Sequence, residues 1–190
     1  EKETDKFKGK FKGGGSMKYK FWDVSRDRRK APVTKSDRLL EWVALFIAIV
    51  ALVLTGVLYA KAPETVPSHF NYKGEADGWS GKYIYWAMAV VFVLGMIICA
   101  SAAYNRKLVN LPIRLKEPVF YRQIGLIGRM CRIMTIGMGL IWVVVVISMS
   151  SGFLGVSIVA CVCMISGSVA LMLGTVLFYT LKIWWIGRNC

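Results

Sequence analysis

His69, Glu75 and Asp77 are the first residues in this chain whose types and spacing could do chemistry together, and His69 is its only histidine. An imidazole and two carboxylates could converge on a cation, but a closed zinc site takes four ligands and this segment offers three. Asp77 has two other uses: it could pair with Lys82, or cap the start of a following helix by accepting from free backbone N–H groups. The surrounding segment runs from Pro63 to Lys82. Pro63 and Pro67 stiffen an extended entry, Asn71 to Gly74 and Asp77-Gly78 read as turns, and Phe70 and Trp79 suit a membrane interface. A compact, ordered loop is expected. Its candidate ligand-binding residues are Pro67, His69, Phe70, Asn71, Gly74, Asp77, Gly78 and Lys82, with an extended peptide as one ligand class it could take and no metal assigned.

Arg122, Arg129 and Arg132 form the second candidate surface, because intervals of seven and three place them on one helical face. Their guanidinium groups could bind lipid phosphates or an acidic partner, or simply anchor a helix at the membrane interface. Catalysis finds no support in the apolar segments, which hold no paired carboxylates, no serine beside a base and no histidine cluster, so neither a catalytic residue nor a cofactor is assigned. Cys161 and Cys163 are two apart and would point to nearly opposite helix faces, a poor arrangement for a shared metal.

The elements that must position these residues are set by composition. The chain has 190 residues, 56% hydrophobic and 19% charged, with a mean hydropathy of +0.50. That is too apolar for a soluble domain of this length to enclose in one core. Its net charge of +14, from 25 Lys+Arg against 11 Asp+Glu, would suggest nucleic acid in a soluble protein. Here the charge lies between apolar runs, so membrane lipid is the expected partner and nucleic acid is not. The runs cover residues 39–60, 83–104, 124–149 and 153–183, each long enough for the roughly 20 residues that cross a bilayer. The fourth exceeds one crossing, so tilt or an interfacial ending near Trp184 and Trp185 is expected.

The expected fold is therefore an all-α, polytopic four-transmembrane-helix bundle with an ordered extracytoplasmic loop between its first two helices. Lys and Arg precede the first helix, cluster between the second and third, and follow the fourth, which places both termini in the cytoplasm. Residues 17–38 would be a basic cytoplasmic segment, 39–183 the transmembrane domain and 184–190 a cytoplasmic tail. Residues 1–16 end in Gly-Gly-Gly-Ser ahead of Met17 and read as an added leader. Small residues at four-residue intervals, Ala44, Ala48, Gly56 and Ala60, then Gly95, Cys99 and Ala103, then Ser166, Ala170 and Gly174, could close the bundle or pair two copies of the chain.

The loop pattern of two prolines, His69-Phe70-Asn71, Gly74, Asp77-Gly78 and Lys82 resembles an uncharacterised bacterial multi-pass membrane family that includes the immunity protein against the sporulation-delaying toxin. Asn110-Leu111-Pro112 and the Arg122-Gln123 to Arg129 approach to the third helix fit the same family, and the likeness covers its first, four-helix domain. It implies a protein of the bacterial cytoplasmic membrane that senses or resists an extracellular agent such as a peptide toxin and engages a cytoplasmic regulator. The alternative is a small transporter or transporter-accessory subunit acting as an oligomer. The apolar spans carry no ionisable group at mid-depth for ion coupling, and Thr55, Ser101, Thr135, Ser148, Ser166, Ser168 and Thr175 are the candidates to line a route.

Overall fold

The first helix starts four residues before its apolar run because its opening turn is built from polar side chains. The Thr34 hydroxyl accepts from the Asp37 backbone N–H at 3.2 Å, and the Asp37 carboxylate accepts from the Thr34 backbone N–H at 2.9 Å. This reciprocal box satisfies two of the donors that a helix start leaves open. The helix, α1 (Lys35–Lys61), ends where Ala62 turns extended ahead of Pro63, the conformation a proline imposes on the residue before it. The computed structural model describes residues 33–71, 75–105 and 119–189. Gly74, residues 1–16, most of segment 17–38, and the basic residues Arg106, Lys107, Arg114 and Lys116 lie outside the described residues, as does Asn110-Leu111-Pro112.

After α1 come strands β1 (Thr65–Phe70) and β2 (Ala76–Gly81), then α2 (Ile84–Ala102), α3 (Phe120–Met149), the single turn α4 (Ser151–Leu154) and α5 (Ile158–Arg188). Among the described residues α1, α2, α3 and α5 are each long and apolar enough to cross a membrane, which makes this a multi-pass membrane protein. The fourth run is divided where Gly155 takes a left-handed φ of 66°. α5 therefore begins at residue 158 rather than 153 and continues past Trp184 and Trp185 to Arg188.

The chain is not wholly helical, because the segment between α1 and α2 forms an antiparallel two-stranded hairpin. Its strands hold Pro67, Asp77 and Gly78, all poor strand formers, so tertiary packing must supply what propensity does not. Val66 provides it. The side chain is fully buried and belongs to a cluster with Leu58 of α1, Tyr85 of α2, and Trp142, Val146 and Met149 of α3. The expected turn at Asp77-Gly78 is not one: both residues lie within β2, and the chain reverses between Asn71 and Glu75, whose backbones bond at 2.9 Å.

α3 is the axis of the bundle. α1, α2 and α5 all pack on it, and α5 makes its extensive contacts with α3 alone. Two bare positions on α3 allow the close approach: a Cβ on Gly139 would stand 2.7 Å from Ile47 Cγ2 of α1, and one on Gly137 would stand 2.8 Å from Met172 Cγ of α5. Phe92 of α2 stacks on Trp142 of α3 with ring centroids 6.1 Å apart. Of the expected small-residue stripes, Ala44 is buried in the bundle, whereas Ser166, Ala170 and Gly174 of α5 are exposed and turned away from it.

Candidate functional site

The hairpin departs from regular pairing around His69, with a register shift on each side of it that leaves Ser68 and Asp77 out of the ladder. Irregularities of this kind bend a strand and re-aim a side chain. Here they set His69 opposite Gly78 and bring its Nδ1 to 2.5 Å from Asp77 Oδ1. Gly78 is what permits the approach, since a Cβ there would fall 2.8 Å from the Cβ of His69. The pair is open to solvent, with the His69 side chain 73% exposed. When Nδ1–H is donated to the carboxylate, the imidazole is oriented and presents Nε2, which in the neutral ring accepts a hydrogen bond.

The rest of the hairpin braces this pair. Ser80 Oγ donates to Ser68 Oγ at 2.9 Å, and Asn71 bonds Glu75 through both its side chain and its backbone. Glu75 is therefore committed to Asn71, and among the described residues no three His, Cys, Asp or Glu side chains gather as metal ligands do. Asp77 neither pairs with Lys82 nor caps α2, whose N-cap Tyr83 makes no side-chain bond. Lys82 Nζ donates instead to Glu64 Oε1 at 2.7 Å and lies 5.6 Å from the centroid of the Tyr59 ring. The hydrogen bond to Glu64 holds the Lys82 ammonium protonated above the usual lysine range.

Of the eight residues expected in this site, His69, Asp77 and Gly78 meet at one point. Asn71 shapes the reversal, Lys82 ties the hairpin base, Pro67 is buried, and Phe70 is half-buried at the end of β1. Trp79 is exposed. Beneath the hairpin, the Tyr85 and Ser150 hydroxyls bond at 2.7 Å with both residues fully buried.

The opposite end of the bundle carries a cluster of charges in which the expected arginine face is largely occupied. Arg129 Nε donates to Asp37 Oδ1 at 3.1 Å and its Nη2 donates to the Thr34 hydroxyl at 3.2 Å. Arg132 Nε donates to Glu41 Oε1 at 2.8 Å, an oxygen that also accepts from the Tyr104 hydroxyl. The Arg132 guanidinium lies over the Tyr104 ring at 5.1 Å, and Arg38 donates to the other Glu41 oxygen at 3.2 Å. Asp37 and Arg132 are only 4% and 6% exposed. Arg122 stands apart and is exposed.

Asp37, Glu41 and Tyr104 were not among the expected site residues. A signal existed in the spacing, because Asp37 and Glu41 are one turn apart on α1 and match Arg129 and Arg132 one turn apart on α3. Which helix stands beside α3 could not be read from spacing alone. Gln123 is another such residue: fully buried, it donates from Nε2 to the Ile183 carbonyl at 3.2 Å and ties the start of α3 to the end of α5.

Most hydroxyls considered as the lining of a transport route are turned back onto their own helices. Thr55, Thr135, Ser148, Ser168 and Thr175 each donate to the carbonyl four residues earlier, at 2.7 to 3.0 Å. Ser101 and Ser166 are exposed.

No curated protein and no solved structure matches the chain, so no named relative supports the link to the immunity protein. A family described as a domain of unknown function, DUF1648, matches residues 46–93, the stretch that runs from within α1 through the whole hairpin and into α2.

Proposed function

We propose that this protein is a non-enzymatic receptor or resistance factor of the bacterial cytoplasmic membrane, with the hairpin facing outward and an extracellular agent, of which a membrane-active peptide is the type, bound there. The observation that carries this reading is the irregular pairing that fixes an exposed imidazole on an exposed carboxylate. A chain that needed only a short link between α1 and α2 would have no use for two register shifts and an obligatory glycine. Charge supports this orientation: Lys35, Arg38, Arg122, Arg129, Arg132, Lys182 and Arg188 lie at the end away from the hairpin, the kind of residue that loops kept in the cytoplasm carry in excess. The resemblance in the loop supports the same class of function, including a cytoplasmic regulator engaged at the basic end.

The test is protection of a sensitive bacterial host. Wild type and a His69→Ala/Asp77→Ala variant are expressed at equal membrane levels and challenged with membrane-active peptide toxins. Protection by the wild type, lost in the variant, is the expected result. Equal protection by both forms would remove the pair from the site, and protection by neither would remove the resistance reading.

A further inference from the structure

We infer that the basic end of α3 and α5 binds the phosphate headgroups of anionic phospholipids, with Arg122, Lys182 and Arg188 supplying the charge. Carboxylate pairing separates this site from the neighbouring cluster. At this end the described acidic groups, Asp37 and Glu41, are both taken by arginines, chiefly Arg129 and Arg132. Arg122, Lys182 and Arg188 are exposed and form no ion pair among the described residues.

Their placement is fixed by the Gln123 to Ile183 bond of 3.2 Å, because Arg122 and Lys182 are the chain neighbours of its two partners. Arg188 lies in the last turn of α5. The buried residues Ile183 and Ile186 lie on the α5 face beside α3, and the exposed residues Lys182 and Arg188 lie on different sides of α5. On one flank Lys182 Nζ lies 5.5 Å from the Phe178 ring centroid, and on the other the Arg188 guanidinium lies 5.2 Å from that of Trp184. Phe178, Trp184 and Trp185 are themselves 57%, 50% and 60% exposed.

Long basic side chains over exposed aromatic rings at the end of a membrane helix sit at the headgroup level, with the rings in the acyl boundary and the charges beside phosphate. A soluble acidic partner could answer the charge, but exposed apolar rings beside it answer acyl chains as well. That combination selects a lipid. The site is independent of what the hairpin binds.

The test uses the full chain in phosphatidylcholine nanodiscs, with and without added phosphatidylglycerol, followed by native mass spectrometry of the lipid that remains bound. Wild type is expected to retain phosphatidylglycerol in preference to phosphatidylcholine, and to lose that preference as salt rises. Arg122→Gln/Lys182→Gln/Arg188→Gln is expected to lower the preference roughly tenfold or more, from the contribution each basic group makes at an anionic surface. Lys61→Gln, at the hairpin end, should leave it unchanged, and Arg122→Lys/Arg188→Lys should keep most of it. No preference in the wild type, or an equal preference in the triple variant, would overturn the assignment. So would capture of a polyglutamate peptide without any lipid preference. Should the triple variant misfold, the salt dependence of the wild type and the single substitutions decide the same question.

Discussion

Residue 78 controls whether His69 can reach Asp77, because the two strands approach so closely at that pair that only hydrogen fits. Gly78→Ala is expected to push the strands apart at the irregularity and to cost about 1 to 3 kcal/mol locally, the usual penalty for overpacking a tight contact. Faster hydrogen exchange at His69 and Asp77, with the helices unchanged, is the measurement. At the other end the decisive residue is Glu41. Its loss would leave Arg132, only 6% exposed, without its carboxylate. Leaving a buried donor without its acceptor typically costs about 1 to 3 kcal/mol, so Glu41→Gln should lower thermal stability in detergent. Glu41→Gln/Arg132→Met should be less destabilised than the sum of the single changes, and a double-mutant cycle would show that coupling.

At the scale of elements, the hairpin shows where sequence patterns stop being informative. Thr65 to Phe70 and Ala76 to Gly81 carry a proline, two glycines and an aspartate, so neither alternation nor β propensity marks them as strands. Their place in the fold is set by Val66 in the bundle core and by the Lys82–Glu64 bond at the base. Val66→Ala should free the hairpin and raise its protease sensitivity while the four helices persist. The Lys82 contact has a defined pH sense. Its folded-state pKa is raised, so its contribution is complete below the ordinary lysine value and is lost as pH rises through the higher folded value. Protease protection of the hairpin should therefore hold through neutral pH and weaken only in strong alkali, and Lys82→Met should remove that alkaline step. The long helices were easier to foresee, because about 20 apolar residues admit few alternatives. Their ends were not, since hydropathy is blind to the Thr34–Asp37 cap and to the left-handed residue at 155.

For the whole molecule, α3 as the axis could not be foreseen, because helices apolar on all sides carry no stripe to say which neighbour they face. Its marks are Gly137, Gly139 and the arginines that meet α1, all of which gain meaning only once the helices are placed. Orientation is the reverse case: geometry is symmetric across the bilayer, and charge alone breaks the symmetry. About 30 Å of helix separates Glu41 from Lys61, the thickness of the hydrocarbon layer, so the Arg132–Glu41 pair lies at one boundary and the hairpin beyond the other. Four crossings then put Lys35 and Arg188 on one side. With the five native cysteines replaced, Ser80→Cys should react with an impermeant thiol reagent on intact cells, and Asn189→Cys only after the membrane is opened. Labelling of Asn189→Cys from outside would invert the protein, turn the His69–Asp77 pair toward the cytoplasm, and exclude an extracellular ligand for it. The reciprocal pattern would leave the His69–Asp77 pair open to an extracellular ligand.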